Sequence, residues 1–235
     1  MIIRVMSDLY LAYAPMKVPA CQGDDDSVLV LAGDIASCPA ALPWIKQMAA
    51  RFQHVVYVLG NHEYFDYEMM QLDEIMLSAM PTNVHLLIRD SIVIHGVRFI
   101  GATLWSDYQK ANPAERTRID NGMIGNHLDS ERVDMQACHI RDKTYLAESI
   151  AEPFEGKTVV VTHHSPSLSL VSGGLKYCYA SDLDHWFDQY DFDMWICGHS
   201  HESGISRINN IPVVQNCRGY PGELTGFIPD LRIVI

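Results

Sequence analysis

Four apolar runs constrain the fold of this chain more than any other feature: "VLVLAGDI", "VVYVLGNHE", "VVVTHHSP" and "MWICGHSH". Their apolar residues are consecutive instead of alternating with polar ones. That is the pattern of strands covered on both faces, as in the parallel sheets of layered α/β proteins. Each run then stops on residues that bind metals or move protons: Asp34; Asn61, His62 and Glu63; His163 and His164; His199 and His201. A fifth run, "IRVMSDLYLAY", ends in the same way on Asp8, with Tyr10 two positions on. In open α/β sheets the carboxyl ends of the strands form the edge where ligands bind. Short motifs far apart in sequence can therefore converge there.

The rest of the chain supports a layered reading. Candidate strands cover 2–6, 28–32, 55–59, 92–95, 97–104, 158–162, 193–197, 205–208, 212–215 and 231–235, and candidate helices cover 40–52, 66–79, 130–151 and 182–189. "SIVIHGVRFIGATLW" reads as two strands joined by a tight turn at His95–Gly96. Ser181 is a candidate N-cap, with Asp184 three residues on. A β-α-β opening followed by many strands predicts two sheets packed face to face with helices outside. Residues 1–235 are expected to form one domain. The polar stretch 105–130, broken by Pro113, Gly122 and Gly125, reads as a long loop that could cap a site.

Composition narrows the function classes. Nothing approaches an apolar stretch of about 18 residues, so no membrane span is expected. The first residues lack the pattern of a secretory signal, which makes a cytoplasmic location the default expectation. Six scattered cysteines without a C-x-x-C pair are expected to be reduced thiols. A formal net charge of −12 argues against a nucleic-acid partner. It does not argue against a small phosphorylated substrate, because a bound metal can invert the local field.

Carboxylates, imidazoles and a carboxamide brought to one rim suit Mn, Fe, Zn or Co better than a thiolate or all-oxygen site would. Singly, the motifs are weak. Asp34 alone reads as a turn or cap residue, and His163 and His164 read equally well as buried structural imidazoles. "GHSH" places His199 and His201 on one side of an extended segment. "GNHE", three polar groups directly after a strand and a glycine, is the strongest of them.

Taken in order, D-x-Y, GD, GNHE, HH-x-P and GHSH resemble the calcineurin-like metallophosphoesterase family, whose pattern is D-x-H, GD, GNH[DE], H and GHxH. The resemblance spans residues 8 to 201. It implies a four-layer α/β sandwich of two mixed sheets flanked by helices, and two transition metals. Asp34 would bridge the metals. Asp8 and His201, with the residue at position 10, would hold the first, and Asn61, His163 and His199 the second. His164 is the alternative to His163. His62 would be the general acid, and Glu63 would orient His62 or a ligand. The implied reaction is hydrolysis of a phosphodiester or other small phosphoester by in-line attack of a metal-held hydroxide. Arg218 and Tyr220, in "NCRGY", could contact the substrate, though a structural ion pair suits Arg218 equally well. "GNHLD", around His127, has no preceding strand and is taken as coincidence.

Tyr10 departs from the pattern, which has an imidazole there. Three readings stand: a ligand to iron, a side chain that points away and leaves the first metal site weak, or a core residue. The weak first site, with one metal tightly bound, is favoured. The same departure supports an alternative from another class, a catalytically degenerate member serving as a protein-interaction scaffold. Intact GNHE and GHSH speak against it.

Overall fold

The computed structural model describes residues 1–119, 135–174 and 176–235. Among them the strands are β1 (Ile2–Met6), β2 (Val28–Ala32), β3 (His54–Val58), β4 (Val84–Leu86), β5 (Asp90–Ile94), β6 (Val97–Ala102), β7 (Lys157–Thr162), β8 (Met194–Cys197), β9 (Ser203–Ile208), β10 (Ile211–Asn216) and β11 (Arg232–Val234). The helices are α1 (Leu42–Ala49), α2 (Met69–Ala79), α3 (Pro113–Ile119), α4 (Met135–Ala151), α5 (Lys176–Tyr179) and α6 (Trp186–Gln189). One sheet has the order β11-β1-β2-β3-β4 and the other β5-β6-β7-β8-β10-β9. Both are mixed: β1 to β4 run parallel with β11 antiparallel at the edge, and β6, β7, β8 and β10 run parallel between antiparallel β5 and β9.

The consecutive apolar residues divide by parity between two cores. Val28, Val30 and Ala32 of β2 face the second sheet and pack in one cluster with Phe99, Val159, Val161 and Ile196. Leu29 and Leu31, the residues between, pack on the opposite face with Ile45 and Met48 of α1 and Leu72 and Met76 of α2. The second sheet repeats the division, with Val160, Trp195 and Cys197 turned toward Leu146 and Ile150 of α4 and Trp186 and Phe187 of α6. The result is a four-layer sandwich, helices–sheet–sheet–helices. Neither face of a central strand meets water, which is why these runs tolerate no alternation.

Several local expectations are corrected. The stretch 105–130 is not all loop, since α3 lies within it. Asn112 Oδ1 accepts the N–H groups of Ala114 and Glu115 (both 3.0 Å), and Glu115 Oε2 accepts the Asn112 N–H (3.0 Å). Residues 120–130 of that stretch, with His127, and 130–134 of the helix expected over 130–151 lie outside the described residues. Ser181 is not an N-cap. Its N–H donates to Ser165 O at 3.0 Å, Leu183 N–H donates to Pro166 O, and α6 starts only after His185. β6 stops at Ala102 because Leu104 and Trp105 turn into positive φ, where Leu104 N–H donates to the buried Asp142 carboxylate (2.8 Å). β4 and α5, short elements of three and four residues, lie where no element was expected. All six cysteines are free thiols. No helix among the described residues is long and apolar enough to cross a membrane.

Candidate metal centre

β1, β2, β3, β7 and β8 release their chains toward one edge, and the parallel pairing continues into the loops. The N–H groups of Asp8 and Tyr10 donate to Gly33 O (2.9 Å) and Asp34 O (3.2 Å). At this edge Asp8, Tyr10, Asp34, His199 and His201 all have positive φ, between 48° and 65°. Such conformations are uncommon outside glycine and tend to gather at functional sites. Two motif glycines are required by close approach. A Cβ on Gly60 would collide with Asp34 Oδ1 and lie 2.8 Å from His163 Cε1, and one on Gly33 would fall against the His163 ring.

Glu63 is fully buried beneath this edge. Its carboxylate accepts four hydrogen bonds, from the N–H groups of Asp34 (2.8 Å), Ile35 (2.6 Å) and Gly60 (2.7 Å) and from the Tyr57 hydroxyl (2.9 Å). It therefore ties the GD loop to the GNHE loop; of the two expectations, orienting His62 or a ligand, its contacts lie on the ligand side, at the backbone of Asp34. Burial, then the charge of Asp34, pushes its carboxyl up to about 7. Glu63→Gln turns an amide N–H₂ toward donors and leaves buried donors unpaired. It is expected to lower unfolding stability by roughly 1–3 kcal/mol, read from urea midpoints.

Asp8, Asp34, His163 and His199 each offer a ligand atom within 4.8 Å of the others, and all four are buried. The hydrogen bonds fix which imidazole atoms face the centre. His163 Nδ1–H donates to Ala32 O (2.8 Å), and His199 Nε2–H donates to Cys178 O (3.3 Å). Their other nitrogens, His163 Nε2 and His199 Nδ1, lie 3.1 Å apart, and Asn61 Oδ1 is 3.1 Å from His163 Nε2. Asp34 Oδ2 is 3.4 Å from the same nitrogen. The imidazole nitrogens His163 Nε2 and His199 Nδ1 and the carboxamide oxygen of Asn61 thus face one another beside the Asp34 carboxylate, an arrangement that a cation resolves. The charges agree. Burial lowers the affinity of His163 for a proton, yet Asp34 and Asp8 overcome this and hold it raised, to about 9. Burial, then His164 and His163, keeps His199 well below the usual imidazole range. Burial opposes ionisation of Asp34, but His163 and His62 hold its carboxyl well below the usual range. The donor set fits a transition metal that takes nitrogen and oxygen.

Asp8 braces the neighbouring loop, both its oxygens accepting the His199 N–H (3.2 and 3.0 Å). His62 lies at the rim, partly exposed, its N–H donating to Asp34 Oδ1 (2.9 Å) and its Nε2 3.9 Å from Asp34 Oδ2. Tyr10 does not point away. Its hydroxyl donates to Asp34 Oδ2 (2.9 Å) and lies 2.8 Å from His201 Nε2.

A family model described as calcineurin-like phosphoesterase matches residues 3–203. The chain belongs to the calcineurin-like phosphoesterase family. It is 23% identical to an uncharacterized protein, L509, of Acanthamoeba polyphaga mimivirus over 273 aligned positions, which cover 100% of this chain and 96% of that protein. Among solved structures it is similar to phosphopantetheinyl hydrolase (PptH) from Mycobacterium tuberculosis, with a TM-score of 0.72 and 20% identity over 93% of this chain and 89% of that one. A putative 5'-nucleotidase from Staphylococcus aureus matches with a TM-score of 0.55 and 16% identity, over 93% of this chain and 49% of that one. At these identities the structural matches show a shared fold.

Other residues of this calcineurin-like chain take places that its motifs leave open. His164 is buried beside the centre, its ring centroid 4.1 Å from that of His199, with Nδ1 on Thr103 O (3.3 Å). It is not among the groups that converge within 4.8 Å, and its Nε2 is buried without a hydrogen-bond partner among the described residues. Arg218 donates to Leu9 O and Ala14 O (both 2.7 Å), so it pins the loop carrying Tyr10. Tyr220 stacks on Tyr10 (centroids 4.3 Å, 17° between planes) and brings its hydroxyl to 3.0 Å from His62 Nε2. Glu223, unremarked in the sequence, accepts from His201 Nδ1 (2.7 Å) and from the Tyr220 N–H (2.9 Å). Nothing in "PGELTG" distinguishes that acid from a solvated one.

Proposed function

We propose that this chain is a metal-dependent hydrolase of phosphate esters acting on a small phosphorylated substrate. The observation that carries this reading is the approach of His199 Nδ1, Asn61 Oδ1 and the Asp34 carboxylate to His163 Nε2, all within 3.4 Å of it. A metal held there would supply acidification of a water molecule and neutralisation of charge on phosphoryl oxygens. The remaining work falls to the chain. Asp34, with its neighbours, fixes the geometry of the ligands, and Glu63 holds both ligand-bearing loops in register from below. His62, at the open rim, donates a proton to the leaving oxygen. Tyr220 and Phe65, the latter with its ring centroid 4.3 Å from His62, restrict the imidazole to one orientation.

A small phosphodiester is the favoured substrate. The names of the fold neighbours, a phosphopantetheinyl hydrolase and a putative 5'-nucleotidase, support small phosphorylated molecules as the class. The acidic net charge supports them over a nucleic-acid polymer. Tyr10, the feature that suggested a scaffold, is a hydrogen-bonded member of the centre and no longer argues for degeneracy.

The test is to strip the purified protein with a chelator, reload it with Mn, Zn, Co or Fe, and assay p-nitrophenyl phosphate and bis(p-nitrophenyl) phosphate. Hydrolysis restored by at least one metal, and faster on the diester, is expected. No hydrolysis of either compound with any metal would sink the proposal.

A further inference from the structure

The motif pattern implies two metals, but the residues present fit only one. The second position has a full donor set whose lone pairs face one another. The first was to be held by Asp8, Asp34, His201 and the residue at position 10. We infer that this chain builds a one-metal centre, in which the Tyr10 hydroxyl takes the place of an ion between Asp34 and His201. The inference rests on the reading of the centre as metal-holding.

Three observations carry it. Tyr10 Oη donates its one proton to Asp34 Oδ2 at 2.9 Å and lies 2.8 Å from His201 Nε2, so it stands in the space between an oxygen and a nitrogen that a first ion would need. His201 is also absent from the four groups that converge within 4.8 Å; its approach to Asp8 is 3.7 Å, and Glu223 holds its other nitrogen at 2.7 Å. Finally, Tyr10 is 3% exposed and packed on three sides. It is stacked on Tyr220 at 4.3 Å and edge-on to His62 at 4.9 Å and to His201 at 5.3 Å. The hydroxyl cannot swing out to admit an ion without breaking that stack. A neutral phenol is a poor partner for a divalent cation, whereas an imidazole at this position would present a lone pair.

The consequence is a division of labour unlike that of a two-metal clamp, in which both ions contact the substrate. Here a phenolic hydroxyl buttresses the Asp34 oxygen on one side, and the ion site lies on the other.

Metal equivalents decide the matter independently of turnover. Wild type, Tyr10→His and Tyr10→Phe are purified identically, stripped, and titrated with Mn²⁺ and with Zn²⁺ by calorimetry, with bound metal confirmed by elemental analysis. One tight equivalent is expected in wild type and in Tyr10→Phe, and two in Tyr10→His. Two tight equivalents in wild type would overturn the inference and leave the proposed hydrolase standing. So would a second equivalent of iron accompanied by a visible phenolate charge-transfer band that disappears in Tyr10→Phe, because Tyr10 would then be a ligand. A count that stays at one in Tyr10→His would show that Tyr10 is not what closes the position. No metal bound by any variant would overturn this inference and the metal-holding reading together. If Tyr10→His does not fold, the wild-type count still decides between one position and two.

Discussion

His62→Ala is expected to slow hydrolysis of alkyl phosphodiesters by roughly 10²–10⁴-fold, the usual contribution of a positioned general acid. Metal content should not change, since His62 is not among the four converging groups. The leaving group sharpens the test. A p-nitrophenolate departs with little need of a proton, so the loss should be much smaller on bis(p-nitrophenyl) phosphate than on an alkyl ester. Equal losses on both esters would assign His62 to binding or structure. No loss on the alkyl ester would remove it from the mechanism. Burial lowers the proton affinity of His62. The protonated form that can serve as the acid therefore fills only as pH falls, and hydrolysis of the alkyl ester is expected to decline on the alkaline side.

Asp34→Asn is expected to cost the protein its metal. Asparagine keeps the shape but only one acceptor oxygen, so with that oxygen on the His62 N–H the Tyr10 hydroxyl must accept from the amide instead of donating, while the charge disappears. Loss of a group that merely supports a ligand costs roughly 10–100-fold in affinity. Removing a carboxylate at the point of convergence should exceed that, with hydrolysis absent at metal concentrations that saturate wild type. Calorimetric titration of the stripped variant measures the effect, and the circular dichroism melt checks that the fold survives. Wild-type affinity in Asp34→Asn would mean that the imidazoles and Asn61 alone hold the ion.

The sequence disclosed this architecture unevenly, for physical reasons. The central strands were legible because burial on both faces forces consecutive apolar residues, and the edge carrying Asp34, Asn61 and His199 followed from where those residues stop. Three-residue β4 was not legible, because "VHL" between turn formers carries no period. α3 has a start signal in the sequence: "NPAE" puts an acceptor at the N-cap, proline at the first helical position and glutamate two residues later, but it sits in a polar stretch without apolar periodicity. Within the site, the motifs carry the candidate ligands but not their supports. Glu63 was visible as an acid after GNH, whereas its four donors come from β3 and from two loops that meet only in the folded chain. Tyr10 was visible as an anomaly, and only its contacts with Asp34, His201 and Tyr220 show which way its hydroxyl faces.

The converging groups come from both sheets. Asp34 and Asn61 follow β2 and β3 of one, and His163 and His199 follow β7 and β8 of the other. With Asp8, which follows β1, the first sheet carries three and the second two, so an ion held there would bind the native state and nothing less. By mass action, free metal at a hundred times its dissociation constant would add about 2.7 kcal/mol to the stability of the docked sandwich. Metal starvation would therefore act on the lifetime of the protein as well as on its turnover. Molecules that lose the ion would also lose a clasp between their two halves.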